Sequence, residues 1–451
     1  MKLPTECPQL DVVRARAALE CQTSAFRHDT PHRGLVVRIS RSVLFIGIFV
    51  IYTGALPFFI TFSLDLLYGT YVVIGVCAVG ILSFERVASR SLLSIVPYLV
   101  WLLVFYCLWG TLVTVGKLPE DEVIKTFVKN LIVLSAFALA VIDRRDLARA
   151  AKWLQIGALF NLAICLWEVW DPQVILTLAV GRDPGMNAFN VLRPAGLWRN
   201  PDEAAFAFIF AFLISYWARR PLAWIGRLAC LVGIYLTASR TGVYVLALCG
   251  AVHFVLKLRS EGFFFRWLKW FSLSLAATAA AALVLTESST LQTLNVSNQW
   301  QVRRIFDFAE STGRGTNEPT RLEIAQEAME RIFERPWTGH GIFSFQRLDT
   351  LAIDPAAVSI GAHNLFLTVW GETGIPGIIT YSLVLALGIC RIFHPRIAKK
   401  EASVLLLMWI SYLVIGLTWH NQFTAFSGML FAALLFHLPS VLQRYSEAAR
   451  W

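Results

Sequence analysis

The chain has 451 residues, of which 57% are hydrophobic and only 16% charged, with 40 Lys and Arg against 30 Asp and Glu. So apolar a composition excludes an ordinary soluble domain. The formal charge of +10 could suit a nucleic acid, but no basic motif interleaved with aromatics points that way. The excess follows topology instead.

Residues 1–41 form a basic tail with Arg14, Arg16, Arg27, Arg33, Arg38 and Arg41. They hold no apolar core, so no cleavable signal peptide is expected. Beyond them, apolar runs of about 18 or more residues can cross a hydrocarbon layer of about 30 Å as helices. Helices satisfy their own backbone groups in lipid. Twelve runs are predicted, at 42–62, 65–83, 91–115, 123–142, 151–170, 202–218, 222–238, 241–256, 266–286, 364–390, 401–419 and 422–441. The seventh and eighth are short and tightly joined. Merging them would invert everything downstream.

This gives an all-α polytopic membrane protein with both termini cytoplasmic. Residues 42–286 carry nine spans and an outer loop at 171–201, residues 287–362 a large outer loop, residues 363–441 three spans, and 442–451 an inner tail. Charge supports the orientation. The inner segments under this reading hold 26 of the 40 Lys and Arg and 10 of the 30 acids, and basic residues accumulate on the cytoplasmic side. Contact with anionic lipid heads follows. The eight cysteines lie in the tail or the spans, which argues against a disulfide framework or a Cys-rich metal site. The N-terminal spans carry few ionisable residues and read as scaffold.

Within the large loop, Thr320 to Glu334 reads as an amphipathic helix. Thr320 and Glu323 have capping-box spacing, and Leu322, Ala325, Met329, Ile332 and Phe333 recur at helical spacing. Pro336 ends it, and Gly339 and Gly341 flank His340 in a turn. The helix could line a substrate site or serve as a plain cap packed on the bundle.

The outer segments also carry the chemistry. Arg193 and Arg199 precede the sixth span, and Arg240 starts the eighth within SRTG. An arginine at a membrane boundary needs a partner or a wet cavity, and guanidinium offers paired donors to phosphate oxygens. The helix N-terminus that follows Arg240 also favours an anion. The plainer alternative is interfacial snorkelling or an ion pair to Asp202 or Glu203. His363 starts the tenth span within GAHNLFL. A neutral imidazole, with an ordinary pKa near 6.5, can accept a proton. The plainer alternative is a capping histidine, and His340 and His420 compete on the same side. No HExxH, paired histidines or carboxylate cluster suggests a metal.

Three stretches resemble the O-antigen ligase and polymerase family of bacterial membrane glycosyltransferases. RPAGLWRNPDEAAFAF is similar to the family's Arg-x-x-Gly and Asn-Pro-Asn segment, with Asp202 in place of the usual Asn. ASRTGVYVLAL is similar to its Ser-Arg-x-Gly helix start. TRLEIAQEAMERIFERPWTGHGIFSF with GAHNLFLTVWGETGIPGII is similar to its loop helix, Pro-x-x-Gly-x-Gly turn, His-Asn pair and Glu-x-Gly-x-x-Gly helix. The resemblance covers residues 190–380.

It implies a GT-C-like fold with a large periplasmic loop in the bacterial inner membrane. It also implies glycan transfer from an undecaprenyl-pyrophosphate-linked donor to an acceptor hydroxyl on the periplasmic face. Arg193, Arg240 and Arg321 would bind the pyrophosphate and His363 would act as general base, without cofactor or metal. The acceptor would be lipid A-core for a ligase of lipopolysaccharide biosynthesis, or a growing glycan for an O-antigen or exopolysaccharide polymerase. The absence of a nucleotide-binding βαβ unit or phosphate loop fits a lipid-activated donor. A transporter without catalysis and a structural membrane component are the rival classes.

Overall fold

Backbone that must satisfy itself in a low-dielectric layer folds here as helix throughout, and no strand occurs among the described residues. The structure is a computed structural model and describes residues 31–52, 73, 76, 77, 81, 91–114, 120–170, 194–198, 200–260, 321–345, 361–419 and 426–448. In chain order the helices are α1 (Pro31–Tyr52), α2 (Val96–Thr114), α3 (Glu120–Ala140), α4 (Arg144–Trp170), α5 (Pro201–Ile214) and α6 (Arg220–Leu236). They continue with α7 (Arg240–Ser260), α8 (Arg321–Glu334), α9 (Leu365–Cys390), α10 (Lys399–Gly416) and α11 (Phe426–Ala448).

Three stretches are long and apolar enough to cross a membrane: Val96–Thr114, Arg144–Trp170 and Leu365–Phe393. Phe127–Ala140 and Arg240–Leu256 are shorter apolar helices. The other helices described here overlap predicted runs, apart from α8, but α1 begins at Pro31, so residues 31–41 of the expected basic tail are helical. The predicted run at 266–286, nearly all of 65–83 and the second half of 42–62 lie outside the described residues, as do the tail at 1–30 and Thr320 of the expected capping box.

Lipid supplies no hydrophobic drive between helices, so close packing must hold them together. Around α5 small residues allow it. Ala204, Ala205, Ala207 and Ala211 are buried. A Cβ on Gly233 of α6 would stand 2.5 Å from the Phe208 ring, and one on Gly226 would run into Gln155 of α4. Gln155 Nε2 donates to the Ala211 carbonyl at 2.6 Å, tying α4 to α5. Aromatic contacts continue the core from α9 through α10 and α11 to α5: the Tyr381 and Tyr412 hydroxyls at 3.4 Å, Tyr412 stacked on Phe431, and Phe431 on Phe210 at 4.2 Å.

The tight join is a true break. Between α6 and α7, Thr237 donates to the Ile234 carbonyl at 2.8 Å, Ala238 turns left-handed at φ 46°, and Ser239 Oγ accepts from Gly242 N–H at 3.2 Å.

Polar contacts distinguish the two ends of the bundle. At one end Arg41 meets Asp146 at 3.6 Å and Arg144 pairs with Glu401. There Arg391 donates to the carbonyls of Ser94 and Phe436 at 2.8 and 3.2 Å, and Arg444 donates to Ser91 Oγ at 2.8 Å. Buried His437 bridges Ser94 Oγ and the Val141 carbonyl. This basic end gathers the first turns of α4 and α10, the chain just before α2, and the ends of α9 and α11. The far end therefore holds the start of α9 and the ends of α2, α4 and α10.

The amphipathic helix exists as α8, but its buried face is shifted from the predicted one, sharing Ile332 and the flanking Met329 with it. Ile324, Ala328 and Ile332 pack with Phe345 and Ala362, flanked by Met329, Leu367 and Trp370. Phe333 is 64% exposed and touches only the edge of this cluster, its ring 6.2 Å from that of Trp370. Spacing alone admits two neighbouring apolar stripes on a helix this short, and contact with α9 selects one of them.

Candidate functional site at the far end of the bundle

The first piece is the turn Pro194 to Trp198. Trp198 N–H donates to the Ala195 carbonyl at 3.2 Å, and Gly196 takes φ 63°, a conformation with little cost only for glycine. Ala195 and Trp198 are buried, Trp198 edge-on to Tyr52 at 6.0 Å. Buried backbone needs partners, and α4 supplies them. Glu168 Oε2 accepts from the N–H groups of Ala195 and Gly196 at 2.7 and 2.6 Å, and Asn161 Oδ1 accepts from Leu197 N–H at 3.3 Å. The chain then enters α5 through Asn200, which caps it by accepting from Asp202 N–H at 2.8 Å, with Pro201 in the first turn.

The second piece is the start of α7. Arg240, partly exposed, is its first residue, between buried Ser239 and Thr241. Gly242 lies against Ala205 of α5. Two helix N-termini thus stand side by side, and each favours negative charge. Phe206 of α5 meets Trp419, just beyond α10, at 5.2 Å between ring centroids, so both starts lie at the far end of the bundle.

The third piece joins the loop to α9. Gly374 breaks α9 with φ 70° and ψ −171°, and Pro376 follows. Such a break frees backbone groups that lipid cannot satisfy. The turn after α8 takes them up: Ile375 N–H donates to the Pro336 carbonyl at 2.8 Å, while His340 and Gly341 N–H donate to the carbonyls of Gly371 and Glu372 at 2.7 and 3.0 Å. Gly339 and Gly341 are left-handed, and a Cβ on Gly339 would stand 2.6 Å from the Glu372 backbone. The Pro-x-x-Gly-x-Gly and Glu-x-Gly-x-x-Gly patterns are two halves of one joint.

Trp109 donates to the Thr338 carbonyl at 3.1 Å, and Gly341 abuts Thr114. Here α2 widens into a π-helix over Leu102–Trp109, a form frequent at functional sites. Glu372 is fully buried beneath the joint. It faces the Phe343 and Phe345 amides and the Tyr106 hydroxyl, without a fully formed hydrogen bond to any of them.

His363 and Asn364 stand where α9 begins. Asn364 Oδ1 accepts from Phe366 and Leu367 N–H at 2.9 and 3.2 Å. His363 is partly exposed and left-handed at φ 46°. Among the described residues, the non-glycine positions with positive φ are Ala238, Phe343 and His363. One lies in each of the segments SRTG, GHGIFSF and GAHN or directly beside it. Such backbone costs of order 1–3 kcal/mol and collects at functional sites.

The predicted site residues divide accordingly. Arg240 and His363 come to the same end of the bundle. His340 reaches back to the Arg331 carbonyl at 2.7 Å, satisfying an orphan carbonyl of the last turn of α8. Arg321 is the first residue of α8, its side chain outside the described residues. Arg193, Arg199 and His420 also lie outside them. Sequence reasoning passed over Glu168 and Asn161, because the fifth predicted span read as scaffold. The signal was an acid within an apolar run, which is functional by default in a membrane.

Among curated proteins, none matches this chain. Residues 225–382 match the family model described as O-Antigen ligase. The matched stretch runs from α6 into α9 and includes Arg240, the loop joint and His363. That match supports the resemblance to the O-antigen ligase family over this stretch.

Proposed function

We propose that this protein is an inner-membrane glycosyltransferase of O-antigen ligase type. It moves a glycan from an undecaprenyl-pyrophosphate-linked donor to an acceptor hydroxyl at the periplasmic face. The observation that carries the reading is the coincidence of the family match with one end of the bundle, where Arg240, the paired starts of α5 and α7, and His363 all lie.

In this reading His363 takes the proton of the acceptor hydroxyl. The oxygen attacks the anomeric carbon with inversion, and the sugar–phosphate bond breaks with its electron pair left on the diphosphate. Arg240, with Arg193 and Arg321, stabilises that developing charge together with the two helix N-termini. The proton transfer contributes roughly 10²–10⁴-fold. The far end faces the periplasm and the end rich in arginine faces the cytoplasm, following the positive-inside pattern. Twelve spans with both termini inside satisfy that orientation.

The test is deletion of the gene and gel analysis of surface polysaccharide. Full-length chains left unattached to lipid A-core support a ligase. Single repeat units on the core would make the enzyme a polymerase. Unchanged glycan with altered small-molecule uptake would replace the reading with transport.

A further inference from the structure

We propose that Glu168 and Asn161 of α4 are positioning residues of this site, a buried clamp that sets the backbone immediately before α5. A buried acid in the last turn of an apolar helix needs compensation. Glu168 is 6% exposed and Asn161 1%, and each gives a side-chain oxygen to the turn. One carboxylate oxygen takes two consecutive amides, Ala195 and Gly196, and the Asn161 carboxamide takes the third, Leu197. The turn leaves no room for error. A Cβ on Gly196 would stand 2.9 Å from Asn161 Oδ1 and 3.4 Å from Cys165 Sγ.

What the clamp fixes is the approach to Asn200 and Pro201, hence the height of the α5 N-terminus beside that of α7 and Arg240. The role is acceptance of backbone N–H groups, which an amide oxygen also performs.

The link to catalysis rests on the function proposed above, but the anchoring itself does not, so two measurements separate them. The first is hydrogen exchange on the purified full-length protein in detergent, with no substrate present. Glu168→Ala is expected to speed exchange across Ala195 to Leu197 at least tenfold while α4 stays protected, and Glu168→Gln to keep the wild-type pattern. If Glu168→Ala does not fold, Glu168→Asp replaces it, since one methylene less withdraws the oxygen from both amides.

The second is transfer from a lipid-linked glycan. Glu168→Ala is expected to raise the donor KM about tenfold or more with a smaller change in kcat and none in the acceptor KM, and Glu168→Gln to restore the donor KM. Unchanged exchange in Glu168→Ala, or a Gln variant as impaired as the Ala variant, overturns the clamp. Loss of protection with an unaltered donor KM overturns its role at the site. Wild-type transfer by both Arg240→Ala and His363→Ala would instead remove the function on which the second measurement rests.

Discussion

Gly242 and Ala205 meet through the side chain that the glycine lacks: a Cβ on Gly242 would stand 2.9 Å from the Cβ of Ala205. That contact holds the N-terminal turns of α5 and α7 together. Gly242→Val is therefore expected to part them, at an overpacking cost of about 1–3 kcal/mol. Transfer should fall further than the loss of folded protein explains. A variant that melts like wild type and transfers at full rate would show that the two helix starts need not touch.

At His363 chemistry and backbone strain are separable. The left-handed φ of 46° costs a non-glycine residue roughly 1–2 kcal/mol. His363→Gly should raise the thermal midpoint and abolish transfer together. His363→Asn, a residue tolerant of this conformation, should remain as stable as wild type and equally inactive. Transfer by either variant would assign the general base elsewhere.

Arg240→Lys keeps the charge and loses the planar pair of donors. Hydrogen bonds to charged groups are worth about 1.5–3 kcal/mol, so the rate with a diphosphate-linked donor should drop roughly 10–100-fold. A wild-type rate in the purified enzyme would argue against gripping of the diphosphate by Arg240.

Gly339→Ala places a Cβ against the Glu372 backbone in a left-handed position. A destabilisation of about 2–3 kcal/mol is expected, read as a lower thermal midpoint and as proteolysis near α8 when the loop leaves α9. An unaffected melting curve would mean that the joint bears little load.

Sidedness can be read with cysteines introduced into a chain freed of its own. Trp337→Cys, at a side chain 68% exposed beside the joint, should react with an impermeant maleimide in intact spheroplasts. Pro395→Cys, exposed between α9 and α10, should react only after permeabilisation. The reverse pattern would invert the orientation.

Hydropathy and charge are local properties, so the sequence by itself placed most of the described helices and the segments that carry the arginines. It also marked the break at Ser239 and the start of a helix at Asn364, because caps and glycines act within a turn of their own position. Other features depended on neighbours distant in the chain, and only the tertiary structure decided them. His340 became a cap for α8 because the joint turned its ring toward Arg331. The buried face of α8 became Ile324, Ala328 and Ile332 because α9 lies on that side. Glu168, an acid near the end of an apolar run, found its partners when folding brought two amides, 27 and 28 residues further along the chain, onto one of its oxygens. Buried polar groups must be satisfied by something, and sequence periodicity carries no information about which distant backbone will do it.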